Sequence, residues 1–143
     1  RIHETKPIAV LVSGMQHFEL PPEFPSRTQW WLDGQAKVYS ALKGSSPHLI
    51  YISDTPHPLR DIPNCVASGR LERCNSTEKS PAIFSPGWER INPTAWFCST
   101  VCPAVKDGVV VYRDSSHISV LASENVAPKL LSTLKSLRVF ESQ

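Results

Sequence analysis

The stretch IAVLVS, residues Ile8 to Ser13, decides the fold, because it is a short continuous apolar run, rich in branched side chains and ended by a glycine. Such a run predicts a β-strand that is buried on both faces. A second run, HLIYIS, lies at His48 to Ser53. Between them, Arg27 to Lys43 has apolar residues at helical intervals, with Ser26 as N-cap and Gly44 as C-cap. This order predicts a βαβ unit with parallel strands.

The second half of the chain predicts a long loop and further strands. From Asp54 to Pro86 the residues are mainly those of loops, with one short helical possibility at Val66 to Arg73. We predict strands within Trp88 to Phe97 and at Val109 to Tyr112. The Asp-Gly pair at 107–108 marks a turn just before the last of these strands.

A final amphipathic helix closes the chain. Ser119 can cap its start, and apolar residues recur on one face as far as Leu137. Pro128 falls inside this pattern and predicts a kink or a break near Ala127.

Alternating strands and helices indicate an α/β fold with a three-layer, mostly parallel sheet. Ligands of such sheets bind beyond the carboxyl ends of the strands. The predicted strand ends are Ser13-Gly14, Ser53-Asp54 and Arg113-Asp114. We therefore expect the chemistry of the protein to lie among these three segments.

Composition excludes several classes of protein. The 143 residues are 41% apolar, enough for one domain with a modest core. The net charge of +2 is spread along the chain without a basic block, which argues against nucleic-acid binding. No segment approaches the roughly 20 apolar residues of a membrane span or resembles a signal peptide. Because the first residue is Arg1 rather than Met, we expect a piece of a longer protein.

Four cysteines, Cys65, Cys74, Cys98 and Cys102, have spacings that fit neither a zinc ribbon nor a thioredoxin motif. Their even number in a loop-rich chain favours two disulfides, and the most local pairing is Cys65 with Cys74 and Cys98 with Cys102. Such bridges are typical of an oxidising compartment. Four free thiols or a four-cysteine metal site are the alternatives.

Asp114 and His117 form the pattern D-x-x-H between a predicted strand and the final helix. On a turn, this spacing lets the carboxylate hold one ring nitrogen while the other faces a nucleophile, as in a hydrolase triad. A second copy occurs at Asp54 and His57 but enters a proline-rich loop, so we prefer the first. The structural alternatives are a helix-capping carboxylate and a histidine hydrogen-bonded to a loop.

Two segments of the chain, in the order in which they occur, resemble sequence blocks of the SGNH (GDSL-like) hydrolase superfamily. The segments concerned are YISDTPHPLRDIPNCVAS and AWFCSTVCPAVKDGVVVYRDSSHIS. They are similar to the C-terminal SGNH domain of actinobacterial membrane O-acyltransferases of the acyltransferase-three family. The resemblance implies a flavodoxin-like sheet, Asp114 and His117 as catalytic residues, and no cofactor or metal.

The resemblance also implies a biological setting. The parent enzyme would move an acyl group, most simply acetyl, onto a hydroxyl of a cell-envelope glycan or glycolipid. The donor would reach it through a membrane acyltransferase domain of the same parent chain. The domain would lie outside the cytoplasm, tethered to the membrane through a missing N-terminal region.

The nucleophile of the resembled family lies in a G-D-S block on the first strand, and this sequence contains no G-D-S. We therefore expect residues 1–143 to be a partial, N-terminally truncated SGNH domain that lacks its first strand and is inactive alone. The strand from Ile8 should then have an open edge. Ser13 does not replace the nucleophile, because it lacks the glycines of a nucleophile elbow.

Gly14-Met15-Gln16-His17 is the candidate for the family's G-x-N-D block, with Gly14 and Gln16 at the oxyanion hole. A strand-end loop without this role is the alternative. Trp30 and Trp31 can pack the helix on the sheet or line a sugar site, and Trp96 is expected to pack on a disulfide. The competing functions are a carbohydrate esterase of the same fold, a non-catalytic glycan-binding or scaffold module, and a cysteine-based metal domain.

Overall fold

A computed structural model of the chain describes residues 1–15, 23, 26–77 and 82–141. The regular elements are, in chain order, α1 (Ile2–Thr5), β1 (Ala9–Ser13), α2 (Arg27–Leu42), β2 (His48–Ile52), α3 (Ile62–Ala67), α4 (Leu71–Cys74), β3 (Glu89–Ile91), α5 (Thr94–Phe97), β4 (Val105–Lys106), β5 (Val109–Val110) and α6 (Val120–Ser136). Among the described helices, none is both long and apolar enough to cross a membrane.

The main sheet has the order β1-β2-β3, and both pairings are parallel. Val10 lies opposite Leu49, and Ile50 opposite Glu89. The strand–helix–strand unit and the α/β class are therefore confirmed.

The burial of β1 differs from the prediction. Leu11, in the middle of the strand, is 42% exposed, whereas Leu49, Ile50 and Tyr51 of β2 are buried. The reason is position: β2 has a neighbour on each side, while β1 is at the edge of the described sheet. The second edge of β1 is not paired by any strand in the described part of the chain, as expected for this strand.

Helix α2 begins and ends where its capping residues predict. The Ser26 hydroxyl accepts a hydrogen bond from the Gln29 N–H at 3.2 Å, which satisfies one of the free donors of the first turn. After the last helical residue, Gly44 adopts the left-handed conformation with φ +82°.

The segment Trp88 to Phe97 is only partly a strand. Three residues form β3, and the chain then turns at Pro93 into the short helix α5. Because proline has no N–H to donate to a ladder, it ends the strand early. The third carboxyl end of the parallel sheet is therefore Asn92, and the prediction that Arg113-Asp114 would occupy this place is wrong.

Val109 and Val110 belong to a separate antiparallel hairpin with β4. Its turn is Asp107-Gly108, with φ of +52° and +77°, the signs required by a two-residue hairpin turn. The predicted turn is thus present, but the predicted strand at Val109 to Tyr112 is only two residues long.

The remaining helices correct two expectations. The helical segment expected at Val66 to Arg73 is instead the pair α3 and α4, separated by Gly69 at φ +77°. Of the kink or break predicted near Ala127, the break is absent, because helix α6 continues through Pro128. Proline removes the hydrogen bond to the Glu124 carbonyl, but Glu124 is exposed, so water can satisfy that oxygen.

The chain divides into two compact units, each with its own core. The first comprises Arg1–Asp54, Pro81–Asn92 and Thr133–Gln143, and its core forms around Leu49, Tyr51 and Trp88. The second comprises Thr55–Ser80 and Pro93–Ser132, and its core contains Ile62, Phe97, Val111, Tyr112 and three of the four disulfide-bonded cysteines.

Candidate active site

The candidate site lies on the loop between β5 and α6, in the second unit. Tyr112, at the start of the loop, is buried, and its hydroxyl donates to the Pro56 carbonyl at 2.5 Å. An antiparallel bridge joins Tyr112 to Ile118, and the Arg113 N–H donates to the His117 carbonyl at 2.9 Å. The two ends of the loop are therefore fixed to each other, and the five residues between Tyr112 and Ile118 form a closed turn.

Asp114 and His117 meet inside this turn. The Asp114 Oδ2 lies 2.8 Å from Nδ1 of the His117 ring. The other carboxylate oxygen, Oδ1, accepts from the backbone N–H of His117 at 2.7 Å and of Ser116 at 2.8 Å. Because each oxygen has its own donors, the carboxylate is fixed in one orientation and can hold the ring in a defined tautomer.

The backbone hydrogen bonds also determine the charge of the carboxylate. The His117 N–H, followed by the Ser116 N–H and then the His117 side chain, lowers the pKa of Asp114 well below its usual range. Hydrogen bonds to the ionised form of a carboxyl group favour that form. Asp114 therefore remains a carboxylate at neutral pH, as the partner of a histidine base must.

The outer ring nitrogen of His117, Nε2, has no hydrogen-bond partner among the described residues. The side chain of His117 is 61% exposed, and that of Asp114 is 38% exposed. A ring with Nδ1 held by a carboxylate and Nε2 open to an incoming hydroxyl has the geometry of a general base.

The two disulfides belong to the core on which the loop rests. Cys65 is bonded to Cys74, and Cys98 to Cys102, which is the predicted local pairing. No cysteine is left free, so the alternatives of free thiols and a four-cysteine metal site are not realised. Three of these cysteines share the core that buries Tyr112, and Trp96 packs against the same core. The bridges therefore stiffen the support of the Asp114–His117 turn.

The second copy of the D-x-x-H pattern has a different environment. His57 is only 8% exposed, in contrast to the open ring of His117. A buried imidazole cannot reach an incoming substrate without a change in structure, so the exposure of the two rings favours His117, and the catalytic role of Asp114 and His117 stays a prediction.

Of the two candidate residues for the oxyanion hole, the structure describes Gly14 but not Gln16. Gly14 directly follows β1, and a Cβ atom added to it would lie 3.0 Å from the Trp31 ring, so this position accommodates only glycine at the present packing. Gln16 lies outside the described residues. Ser13 is exposed at the end of β1. The catalytic roles of Gly14 and Gln16 stay predictions.

Asn92 near the strand ends and Ser116 in the turn were not predicted from the sequence. At the sheet end, Ser53 donates to the Asn92 side chain at 3.5 Å, and its N–H donates to the Ile91 carbonyl. In the turn, the Ser116 hydroxyl lies 3.3 Å from Nδ1 of His117. No group of three potential metal-ligating residues comes together in the described ranges.

The sequence matches the family described as "SGNH domain (fused to AT3 domains)" over residues 33–132. The chain belongs to this SGNH family. The matched range contains the whole Asp114–His117 turn and all four cysteines. No curated protein matches the sequence of this SGNH domain.

A solved structure supports the fold. The SGNH chain is similar to the periplasmic domain of the lipopolysaccharide acetyltransferase of Salmonella ser. Paratyphi A, with a TM-score of 0.68 and 15% sequence identity. The similarity extends over 93% of the present chain and 59% of the Salmonella chain. At this identity the likeness establishes the shared fold.

Proposed function

We propose that this SGNH domain is the extracytoplasmic part of an O-acyltransferase that transfers an acyl group, most simply acetyl, to a hydroxyl of a cell-envelope glycan or glycolipid. The nucleophile is a serine outside residues 1–143, because the sequence has no G-D-S. An AT3-type membrane domain of the same parent chain supplies the acyl group and tethers the domain. The family match and the two disulfides support this setting.

In the first half of the proposed reaction, Nε2 of His117 takes the proton of the serine hydroxyl. The serine oxygen bonds to the carbonyl carbon of the acyl donor, and the bond from that carbon to the leaving group breaks. The leaving group takes the proton from Nε2, and an acyl-serine remains. Asp114 stabilises the imidazolium while it carries the proton.

In the second half, a sugar hydroxyl gives its proton to Nε2 and its oxygen bonds to the acyl carbon. The bond to the serine oxygen breaks, and the serine takes back the proton. Water in place of the sugar would make the same site an esterase, so exclusion of water separates the two activities.

The observation that carries the proposal is the 2.8 Å contact between Asp114 Oδ2 and His117 Nδ1, with Nε2 left open. A helix-capping carboxylate would not need the ring, and here Asp114 contacts both the ring and the backbone of the turn. An ionised, doubly anchored carboxylate that holds an exposed imidazole is the arrangement that a serine requires for activation.

The proposal predicts a difference between the full protein and residues 1–143 alone. With a chromogenic acetyl ester as donor and a cell-envelope glycolipid extract as acceptor, the full protein should release the chromophore and acetylate the extract. Residues 1–143 should release no more chromophore than buffer does, because they hold a base without its nucleophile.

The other outcomes of this assay identify the competing functions. Chromophore release by the full protein without acetylated acceptor would indicate an esterase. No release at all, together with binding of the extract, would indicate a glycan-binding or scaffold module. Ester cleavage by residues 1–143 alone would show that the nucleophile lies within them.

A further inference from the structure

A cavity of about 220 Å³ lies within the first unit, between the carboxyl end of β1 and the side of helix α2 that carries Trp31, Gly34 and Val38. It is separate in its residues from the Asp114–His117 turn. Most of its wall is formed by Val12, Trp30, Trp31, Gly34, Val38 and Tyr51. Such a position, beyond the end of a parallel strand, is where α/β sheets bind ligands.

The buried polar side chain of this wall, Gln35, already forms hydrogen bonds within the first unit. The side-chain amide of Gln35 donates to the Ile83 carbonyl and accepts from the Ser85 N–H, both at 2.9 Å. Both ends of that amide therefore already form a hydrogen bond within the first unit. The cavity therefore offers mainly apolar surface, which suits an alkyl chain better than a sugar with its many hydroxyl groups.

Tyr51 provides one proton donor at the end of the cavity. Its side chain is only 3% exposed, and burial, with a smaller contribution from the Asp54 carboxylate, raises the pKa of Tyr51 to about 12. The Trp31 indole, which can only donate, forms a hydrogen bond with the phenol. The phenol oxygen therefore accepts, and its own proton has no acceptor among the described residues.

Gly34 keeps the cavity open on the helix side. A Cβ atom added to it would meet no atom within 4 Å, although it lies in the interior of α2. Glycine in a helix interior costs roughly 0.5–1 kcal/mol relative to alanine. The backbone at this position has helical geometry, so a larger side chain can be introduced there without strain.

We propose that this cavity binds the alkyl part of an acyl group, with the acyl carbonyl accepting a hydrogen bond from the Tyr51 hydroxyl, a choice of ligand that rests on the proposed acyltransferase function. An apolar cavity of roughly 150 Å³ takes up benzene. By volume, the present cavity accommodates about six to eight carbon atoms. We therefore expect this site to bind longer acyl groups more tightly than acetyl.

Titration of residues 1–143 with methyl esters of increasing chain length, followed by calorimetry, tests the proposal. Binding should tighten about fourfold for each added methylene, as expected for burial of a CH₂ group. It should stop tightening beyond about eight carbons, when the cavity is full. Equal affinity for methyl acetate and methyl octanoate would overturn the proposal.

Two variants locate the binding and identify the donor. Gly34→Leu fills the cavity and should weaken methyl octanoate binding at least tenfold, whereas the matched change Ala36→Leu, at an exposed position of the same helix, should leave it unchanged. Tyr51→Phe should weaken the ester about two- to tenfold but leave the corresponding methyl alkyl ether unaffected, because only the ester has a carbonyl. Unchanged binding in Gly34→Leu, with the fold retained by circular dichroism, would contradict the site.

Failure of this site and failure of the proposed function are distinguishable. If esters bind as expected but the full protein transfers no acyl group, the cavity is an acyl site without the proposed chemistry. If the full protein transfers acetyl but no ester binds to residues 1–143, the cavity assignment is wrong and the proposed function stands.

Discussion

Replacing His117 by alanine in the full protein should lower acyl transfer by about 10³-fold or more, with little change in the affinity for the acceptor. In the proposed reaction His117 is the base that takes the serine proton, and positioned acid–base catalysis contributes about 10²–10⁴-fold. In the described turn, the His117 ring contacts the Asp114 carboxylate and the Ser116 hydroxyl, and neither can replace an imidazole as a base at neutral pH.

A matched control and a rescue experiment make this prediction specific. His3→Ala removes another exposed histidine and should have no effect on the rate. Because the His117 ring is 61% exposed, added imidazole can enter the space left by His117→Ala and should restore part of the rate. A rate in His117→Ala within a few-fold of the unaltered protein would remove this residue from the mechanism.

Replacing Asp114 by asparagine should lower kcat by about 10²–10³-fold, because the change inverts the tautomer of His117. This loss is smaller than the roughly 10⁴-fold known for the same change in a buried triad. Two backbone N–H groups point at Oδ1, so the amide oxygen must take that place. The amide nitrogen then occupies the place of Oδ2 and donates to Nδ1. The ring proton moves to Nε2, which can no longer accept the proton of a hydroxyl.

A comparison of KM and kcat in the Asp114→Asn variant tests whether Asp114 positions the His117 ring. The KM should stay within a few-fold of its original value while kcat falls, because Asp114 contacts the His117 ring and not the substrate in the proposed reaction. Asp107→Asn, a change of the same kind at the exposed hairpin turn, should leave both parameters unchanged, since asparagine tolerates positive φ. An equal loss in both variants, or a loss in KM alone, would contradict the tautomer explanation.

The βαβ unit and the turn were predictable because their signals are local. The Ser26 cap, the apolar spacing of α2 and Gly44 determine that helix with few distant contacts. The D-x-x-H spacing likewise brings Asp114 to His117 within a single turn. Short-range geometry of this kind follows from the residue types and their separation.

The errors concern features that depend on distant parts of the chain. A run of apolar residues cannot show whether a strand is central or at an edge, so the exposure of Leu11 was missed. The strand β3 has only three residues, too few to establish a period, and its end at Asn92 was therefore not recognised. The support of the turn by the Tyr112–Pro56 hydrogen bond joins residues 56 positions apart, which no local pattern indicates.

The central claim is that His117, held by Asp114, activates a serine that lies outside residues 1–143. The most direct test is to incubate the full protein with acyl donor, without acceptor, and to map the acyl group by mass spectrometry. We expect one acylated serine outside residues 1–143, formed at least 10³-fold more slowly in His117→Ala. An acyl group on a residue within 1–143, or a rate of acylation that does not depend on His117, would contradict the claim.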